Sequence, residues 1–283
     1  MSDHSSRLRA EVETAASGAD AAENSREPLE AGAVDTHCHL FLIEADSTEI
    51  VEEARAAGVS TLVCVGIDPE SSRRSLELAE SFRGVFATGG VHPHTASEFD
   101  EAAGAAIEEL LASPQVLAVG ETGLDFYRML SPREDQERVF RVHVALSRET
   151  GKPLVVHVRD AWPEAMAILD HEGAEGVVLH CFSGDVATAR EAEARGYFLS
   201  FSGTLTYPRN ECLREAAAAV ASESLLVETD SPYLAPQSLR GRDNRPANVV
   251  AVLEELSRVR GEPLDDVRTA TSANAALVFD GLR

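Results

Sequence analysis

Eight short apolar runs recur along the chain, and segments with helical periodicity separate them. Short runs of this kind that alternate with helices are typical of the buried strands of a parallel sheet. Eight strand and helix units predict a closed (β/α)₈ TIM barrel, which is an α/β fold. The predicted strands are residues 34–40, 61–67, 85–91, 116–121, 153–158, 176–180, 197–202 and 225–230.

The length of 283 residues suits one such barrel with a tail, because these barrels commonly contain about 250 residues. Residues 1–33 are rich in Ala, Ser, Glu and Gly, which predicts a disordered N-terminal extension. This stretch lacks the apolar core of a signal peptide and is too acidic for an organellar transit sequence. Residues 34–283 are predicted to form the barrel domain.

The chain is strongly acidic, with a net charge of −23, and Lys152 is its single lysine. This charge argues against sequence-independent binding of nucleic acid over the whole surface. It leaves open a nucleic-acid substrate that a local arginine cluster and metal ions hold. Arg240, Arg242 and Arg245 form such a cluster after the last predicted strand.

The four cysteines show no C-x-x-C spacing and lie in predicted strands or a helix. This usage indicates a reduced, cytoplasmic protein. No apolar run approaches the roughly 18 residues that a membrane span needs. We therefore expect a soluble protein with no membrane partner, and no obligate protein partner is evident.

Two histidines, His37 and His39, stand two residues apart in the first predicted strand. Because strand side chains alternate between faces, both imidazoles and the Asp35 carboxylate point the same way. Converging imidazoles are the arrangement that a strand offers to a metal ion, and Asp35 is a candidate for fixing the tautomer of one ring. A half-buried strand with two hydrogen-bonded histidines is the alternative for this motif alone.

Other candidate ligands fall at the carboxyl ends of strands four, five, six and eight: Glu121, His157, His180 and Asp230. In a barrel these ends meet on one face, and that face carries the active site. Six nitrogen and carboxylate ligands are too many for one tetrahedral zinc ion, but they suit two cations that share a carboxylate. Glu121 is the expected bridge, because its strand lies roughly opposite strands eight and one.

The order and spacing of six motifs resemble those of the TatD-type metal-dependent deoxyribonucleases, a family of the metallo-dependent hydrolase superfamily. The resemblance extends from about Asp35 to the carboxyl end and includes residues 241–248. The motifs are Asp35-Thr-His-Cys-His-Leu40, Gly90-Val-His-Pro-His94, Gly120-Glu-Thr-Gly-Leu-Asp125, Val156-His-Val-Arg-Asp160, Leu179-His-Cys-Phe-Ser-Gly184 and Glu228-Thr-Asp-Ser-Pro-Tyr-Leu234.

The resemblance implies a phosphodiesterase that cleaves DNA with two divalent metal ions per chain, Mg²⁺, Mn²⁺ or Zn²⁺. It implies a place beside the substrate for His92, for which a structural turn histidine braced by Pro93 is the alternative. Two ligands are predicted to be catalytic: Asp230, whose spare oxygen makes it the candidate base, and Glu121, the expected bridge. Arg242 is a second candidate for substrate binding, since its loop should border the site. The implied metal ligands are His37, His39, Glu121, His157, His180 and Asp230.

Two departures from the family pattern concern substrate preference: Phe41 and Arg245 stand where acidic residues are usual. A D-aminoacyl-tRNA deacylase remains an alternative, so RNA or aminoacyl-tRNA could replace DNA as the substrate. Another alternative is an amidohydrolase that acts on small molecules. The version with a carbamylated lysine at strand four is excluded, because Lys152 precedes strand five. A catalytically inactive barrel would be expected to lack a ligand, and none is missing.

Several other residues have local structural predictions. Asp68 is predicted to cap the second helix, Ser131 to open a capping box, and Asp160 to cap the helix after strand five. His94 is predicted to be structural. Glu228 shares the face of Asp230, so it either supports a ligand or fills the barrel interior.

Overall fold

The computed structural model describes residues 32–282. The predicted N-terminal extension therefore lies outside the described residues, apart from Gly32 and Ala33. Ala33 already begins the first strand. The disorder of the extension stays a prediction.

Eight strands form one parallel sheet in which each strand pairs with its neighbours in chain order. The predicted (β/α)₈ TIM barrel is confirmed, and every predicted strand has its counterpart. The strands are β1 Ala33–Cys38, β2 Val59–Val65, β3 Val85–Gly89, β4 Val116–Asp125, β5 Leu154–Arg159, β6 Val177–Leu179, β7 Phe198–Phe201 and β8 Leu225–Val227.

Nine α-helices occur in the described part of the chain, one after each strand and a last one near the carboxyl end. None of the helices within residues 32–282 combines the length and the hydropathy that a bilayer crossing requires. The helices are α1 Ser47–Ala56, α2 Pro69–Ser81, α3 Glu101–Leu111, α4 Arg133–Thr150, α5 Trp162–Glu172, α6 Val186–Ala194, α7 Glu211–Ala219, α8 Val249–Arg260 and α9 Leu264–Val278.

The ring closes between β8 and β1 by contacts at the carboxyl ends of these strands. Cys38 and Ser231 form a parallel bridge, and the amide of His39 donates to the carbonyl oxygen of Ser231 at 2.8 Å. The amide of Asp230 donates to the carbonyl oxygen of His37 at the same distance. Closure of the ring therefore holds the candidate ligands His37 and His39 beside Asp230.

An apolar layer fills the barrel interior toward its amino end. Val155, Val178 and Leu226 each stand two residues before a polar residue of the carboxyl end, so they share its face one layer deeper. They pack in one buried cluster with Leu117 and with Phe279, which follows α9. This layer closes the barrel beneath the polar residues.

Helix starts follow the predictions in one case of three. Asp68 caps α2, and its carboxylate accepts from the amide of Ser71 at 2.7 Å. The capping box at Ser131 is wrong, because its hydroxyl donates instead to the carbonyl oxygen of His94. The cap at Asp160 is also wrong: its backbone has φ 53°, its side chain is exposed, and Ala161 precedes α5.

Candidate metal centre

His37 and His39 converge as strand alternation predicts. Their Nε2 atoms lie 3.3 Å apart, and both rings are buried. The Nδ1 atom of His39 donates to the carbonyl oxygen of Val65 at 2.9 Å, which directs Nε2 into the barrel. There the Oδ1 atom of Asp230 lies 3.4 Å from Nε2 of His39 and 3.8 Å from Nε2 of His37.

The predicted role of Asp35 is wrong, because within residues 32–282 its carboxylate contacts no imidazole. It accepts from the amide of Thr229 at 2.9 Å, from the Thr229 hydroxyl at 2.6 Å and from the amide of His37 at 3.3 Å. Burial raises the pKa of the Asp35 carboxyl to about 8, although these hydrogen bonds lower it. Asp35 therefore ties β1 to the chain after β8.

Glu121 lies at the centre of the site, with a side chain that is only 3 % exposed. Its Oε1 atom is 3.1 Å from Nδ1 of His157, 3.3 Å from Nε2 of His180 and 3.4 Å from Nε2 of His92. Its Oε2 atom is 3.4 Å from Nε2 of His37. Burial alone raises the pKa of the Glu121 carboxyl, but the charges of these imidazoles hold it well below its usual range.

The backbone before Glu121 needs a glycine. Gly120 has φ 132°, and a Cβ atom there would lie 2.5 Å from the carbonyl oxygen of Val155 on the neighbouring strand. The hydroxyl of Thr88 donates to the carbonyl oxygen of Gly120 from the other neighbouring strand. Close packing of β3, β4 and β5 therefore fixes where the Glu121 carboxylate enters the barrel.

Glu228 contacts a candidate ligand, as the first of its two predicted roles requires. Its buried Oε1 atom lies 2.9 Å from Nδ1 of His180 and accepts from the amide of Cys181 at 2.9 Å. Burial lowers the pKa of His180, but the carboxylates of Glu228 and Glu121 raise it well above its usual value. Glu228 thereby turns Nε2 of His180 toward Glu121.

His92 lies beside Glu121, with its Nε2 atom 3.4 Å from Oε1. Its Nδ1 atom accepts from the amide of His94 at 3.1 Å. In the neutral ring the proton is then on Nε2, which faces Glu121. Burial lowers the pKa of His92 to about 4, so the neutral ring prevails near pH 7. This tautomer suits a hydrogen-bond donor better than a metal ligand.

Asp125 is a site residue for which the sequence suggested no role. Its buried Oδ2 atom is 2.8 Å from Nε2 of His94 and 3.5 Å from Nε2 of His157. Its Oδ1 atom accepts from the amides of Tyr127 and Arg128. Asp125 stands four residues after Glu121 on the same long strand, and that spacing was the available signal. His94 contacts Asp125 in this way, and its structural role stays a prediction.

The arginines of the loop after β8 do not contact the candidate ligands. Arg242 is exposed, and within residues 32–282 its side chain makes no hydrogen bond or ion pair. Arg245 instead pairs with Glu53 of α1 at 2.6 Å. The guanidinium of Arg240 lies over the ring of Tyr207, 4.8 Å from its centroid. The structure brings the six candidate ligands and His92 together, but not Arg242.

The donor set fits divalent cations. In the described part of the chain, three buried side-chain atoms of this site have no hydrogen-bond partner: Nδ1 of His37, Nε2 of His157 and Oε2 of Glu228. Imidazole nitrogens and carboxylate oxygens are ligands of zinc and manganese. Three groups have ligand atoms within 4.8 Å of one another: His37, His39 and Glu121; His37, His180 and Asp230; and His92, Glu121 and His157.

Known proteins with similar sequences are metal-dependent hydrolases or exonucleases by name. The chain is 36 % identical over 249 residues to the uncharacterized metal-dependent hydrolase YabD of Bacillus subtilis. That alignment covers 87 % of this chain and 98 % of YabD. It is 37 % identical over 241 residues to the 3'-5' ssDNA/RNA exonuclease TatD of Cronobacter sakazakii. This second alignment covers 83 % of this chain and 92 % of the exonuclease.

Solved structures and a family model agree with these relatives. The TatD homologue YjjV of Escherichia coli superposes with a TM-score of 0.82 and 28 % identity, over 88 % of this chain and 98 % of that one. A TatD family hydrolase of Entamoeba histolytica has the same fold, with a TM-score of 0.78 and 18 % identity, over 88 % of this chain and 98 % of that one. The family model described as TatD related DNase matches residues 34–280. This protein is therefore a metal-dependent hydrolase that belongs to the TatD related DNase family.

Proposed function

We propose that this protein is an exonuclease that hydrolyses phosphodiester bonds of single-stranded DNA. The observation that carries the proposal is the convergence of imidazoles and carboxylates on Glu121 at the carboxyl face of the barrel. The relatives whose name specifies an exonuclease act, by that name, on single-stranded DNA and RNA. RNA is therefore the second nucleic acid that the same site should be tested with.

Two divalent cations per chain, Mg²⁺, Mn²⁺ or Zn²⁺, are the proposed cofactors. When bound, the cations would lower the pKa of a water molecule and neutralise charge on the phosphate. Glu121 suits the bridging position, because its two oxygens face different imidazoles. The proposed ligands are His37, His39, Glu121, His157, His180 and Asp230.

Asp230 is the proposed proton acceptor. Its side chain is 14 % exposed, against 3 % for Glu121, so it is the more accessible of the two carboxylates. Burial raises the pKa of Asp230, but the hydrogen bond from His39 and the charges of His180 and His37 lower it below the usual value. An ionised carboxylate at neutral pH can take a proton from the attacking water.

His92 and Arg242 are the proposed substrate contacts. The Nε2 proton of His92 faces the centre of the site, where it can donate to a phosphate oxygen. Arg242 keeps a free guanidinium within the described residues, so it can reach a phosphate further along the strand. Phosphoryl transfer needs positioning and charge stabilisation more than covalent help, and these two side chains can supply both.

The proposed compartment is the cytoplasm. All four cysteines are free, and two of them, Cys38 and Cys64, are buried in neighbouring strands. Free cysteines are usual where glutathione and thioredoxin keep thiols reduced.

The substrate is tested by incubating the metal-loaded protein in parallel with end-labelled single-stranded DNA, single-stranded RNA and aminoacyl-tRNA. We expect stepwise shortening of the DNA, with the Glu121→Ala variant as the inactive control. Release of the amino acid from aminoacyl-tRNA, with the DNA left intact, would instead identify a deacylase. Shortening of RNA alone would make the protein a ribonuclease.

A further inference from the structure

Three of the four tyrosines lie in loops at the carboxyl face of the barrel. Tyr127 follows β4, Tyr207 follows β7 and Tyr233 follows β8. Tyr127 is 62 % exposed and Tyr233 is 55 % exposed, although aromatic residues make up only 5 % of the chain. We call these three tyrosines the aromatic rim. It reaches the candidate metal centre at Tyr233, whose ring centroid lies 6.2 Å from that of His39.

Two of these tyrosines carry an arginine over the ring. The guanidinium carbon of Arg159 lies 3.9 Å from the centroid of Tyr127, and that of Arg240 lies 4.8 Å from the centroid of Tyr207. Arg159 stands two residues after His157 on β5, and therefore on the same face. The first pair thus adjoins the site at β4 and β5, and the second adjoins it at β7 and β8, on another side of the ring.

Five arginines of this face lack acidic partners among residues 32–282, in contrast with most arginines elsewhere and with Arg245 of the same face, which pairs with Glu53. Arg138, Arg195 and Arg258, for example, pair with carboxylates on or between outer helices. No ion pair is found among residues 32–282 for a second set, which lies in the loops at the carboxyl face or at the end of β5: Arg128, Arg159, Arg209, Arg240 and Arg242. Positive charge that stays available next to the site fits a polyanion, despite the net charge of −23.

We propose that the Tyr127 and Arg159 pair and the Tyr207 and Arg240 pair are two nucleotide subsites, each of which stacks one unpaired base. This inference rests on the proposed nuclease function and adds where the strand is bound. Every base has a π face, so stacking on tyrosine binds a strand without regard to its sequence. The arginine of each pair orients the ring by a cation–π contact and can bind the adjacent phosphate.

The second subsite is a groove of suitable size. Its volume is about 590 Å³, within the range of roughly 300–1,000 Å³ that is usual for small-ligand sites. The hydroxyl of Tyr207 donates to the carbonyl oxygen of Ala235 at 3.0 Å, which fixes the ring between the loops after β7 and β8. The lining residues are Tyr207, Pro208, Arg209, Asn210, Gln237 and Arg240.

The two subsites require bases that are free to stack. A duplex keeps both faces of its bases covered, so it cannot occupy them. A mononucleotide can fill only one, whereas a single strand that crosses the metal centre can fill both. The subsites therefore select single-stranded substrates that are long enough to cross the metal centre.

The first experiment measures binding without turnover. Fluorescence anisotropy gives the Kd of a labelled oligothymidine whose phosphorothioate linkages slow hydrolysis. Tyr127→Leu and Tyr207→Leu should each weaken binding about 5- to 150-fold, which corresponds to one lost base stack. Tyr127→Phe and Tyr207→Phe keep the aromatic ring, so they should bind the strand as tightly as the unmodified protein. Because Tyr207→Phe removes only the hydroxyl that contacts Ala235, it also separates base stacking from that contact.

The second experiment measures the salt dependence of the same Kd. Arg159→Gln and Arg240→Gln should each lower the slope of log Kd against log salt by about 0.7, as one phosphate contact to a single strand does. Arg268→Gln is the matched control, because Arg268 pairs with Asp265 on the outer helix α9. Its slope should equal that of the unmodified protein.

The outcomes distinguish the subsites from the proposed function. If the unmodified protein cleaves neither single-stranded DNA nor a small phosphodiester such as bis(p-nitrophenyl) phosphate, the proposed nuclease function is wrong. If it cleaves DNA but both leucine variants bind the strand with unchanged Kd, the two subsites are wrong. Equal affinity for a duplex and a single strand would also overturn them. A larger loss of kcat/KM for the strand than for the small diester in the leucine variants supports them.

Discussion

The two ends of the barrel differ in whether their buried polar groups have hydrogen-bond partners. At the carboxyl end, imidazole and carboxylate atoms are buried without hydrogen-bond partners. At the amino end, the amide of Asn274 donates to the carbonyl oxygens of Ser222 and Leu225, and Lys152 donates to the carbonyl oxygen of Val116. An unsatisfied buried polar group costs about 1–3 kcal/mol. The carboxyl end therefore gives up stability where the candidate ligands crowd together, and the amino end supplies stability.

The first prediction tests the carboxyl end at its centre. Glu121→Ala removes the carboxylate that four imidazoles face, and both proposed ions lose a shared ligand. Metal content should fall toward one ion per chain, and activity should fall by more than the roughly 10²- to 10⁴-fold typical of one proton-transfer group. Elemental analysis and circular dichroism should show the metal loss with little loss of fold. Two ions still bound at full affinity would remove the bridging assignment.

The second prediction separates chemistry from binding. Asp230→Asn keeps an oxygen that can coordinate a cation, but it has no basic oxygen to accept a proton near neutral pH. Turnover should fall about 10²- to 10⁴-fold in saturating metal, while an uncleaved single strand still binds. The wild-type rate should rise with pH along an acidic limb that the variant lacks. Near-normal turnover of the variant would mean that Asp230 only binds metal.

The third prediction decides between the two roles of Glu228. Glu228→Gln keeps an acceptor for the amide of Cys181 but removes the charge beside Nδ1 of His180. Loss of a group that orients a metal-binding histidine typically costs about 10- to 100-fold in metal affinity. Titration against a competing chelator measures this loss. Unchanged affinity would show that Glu228 only fills the barrel interior.

The fourth prediction concerns a hydrogen-bonded side chain at the amino end. Asn274→Ala leaves the carbonyl oxygens of Ser222 and Leu225 without their donor, which should cost about 1–3 kcal/mol of unfolding free energy. Urea unfolding measures the loss, and kcat/KM and metal affinity should stay at the wild-type values. If the folded Asn274→Ala variant lost activity, the role of the amino end would not be limited to stability.

The sequence alone predicted the fold and the grouping of the candidate ligands, because both follow from repeating patterns. Strand alternation gave the convergence of His37 and His39, and the rule that parallel strands share a carboxyl end brought in Glu121 and Asp230. The interpretation of Asp35 failed, since alternation gives the face of a side chain but not the neighbour that it binds. Asp35 turns to Thr229 where β8 closes the ring.

Loops were beyond prediction for a related reason. The strand pattern ends where a loop begins, so no pattern determined which partner each arginine would find. Arg245 pairs with Glu53, which is distant in sequence and lies on α1. The aromatic rim was missed for the same reason, since Tyr127 and Arg159 meet only through the pairing of β4 with β5.

The last and smallest prediction asks whether a position at the carboxyl end is enough to give a residue a role in binding. Arg242→Ala should lower the salt slope of single-strand binding by about 0.7, whereas Arg245→Ala should leave it unchanged, because Glu53 and Glu49 already neutralise Arg245. Both arginines stand in the same loop, so each is the control for the other. Loss of the partly exposed Arg245 ion pair should cost about 0.2–1 kcal/mol of stability, which urea unfolding can measure. Equal salt slopes for the two variants would mean that pairing with α1 does not decide which arginine meets the substrate.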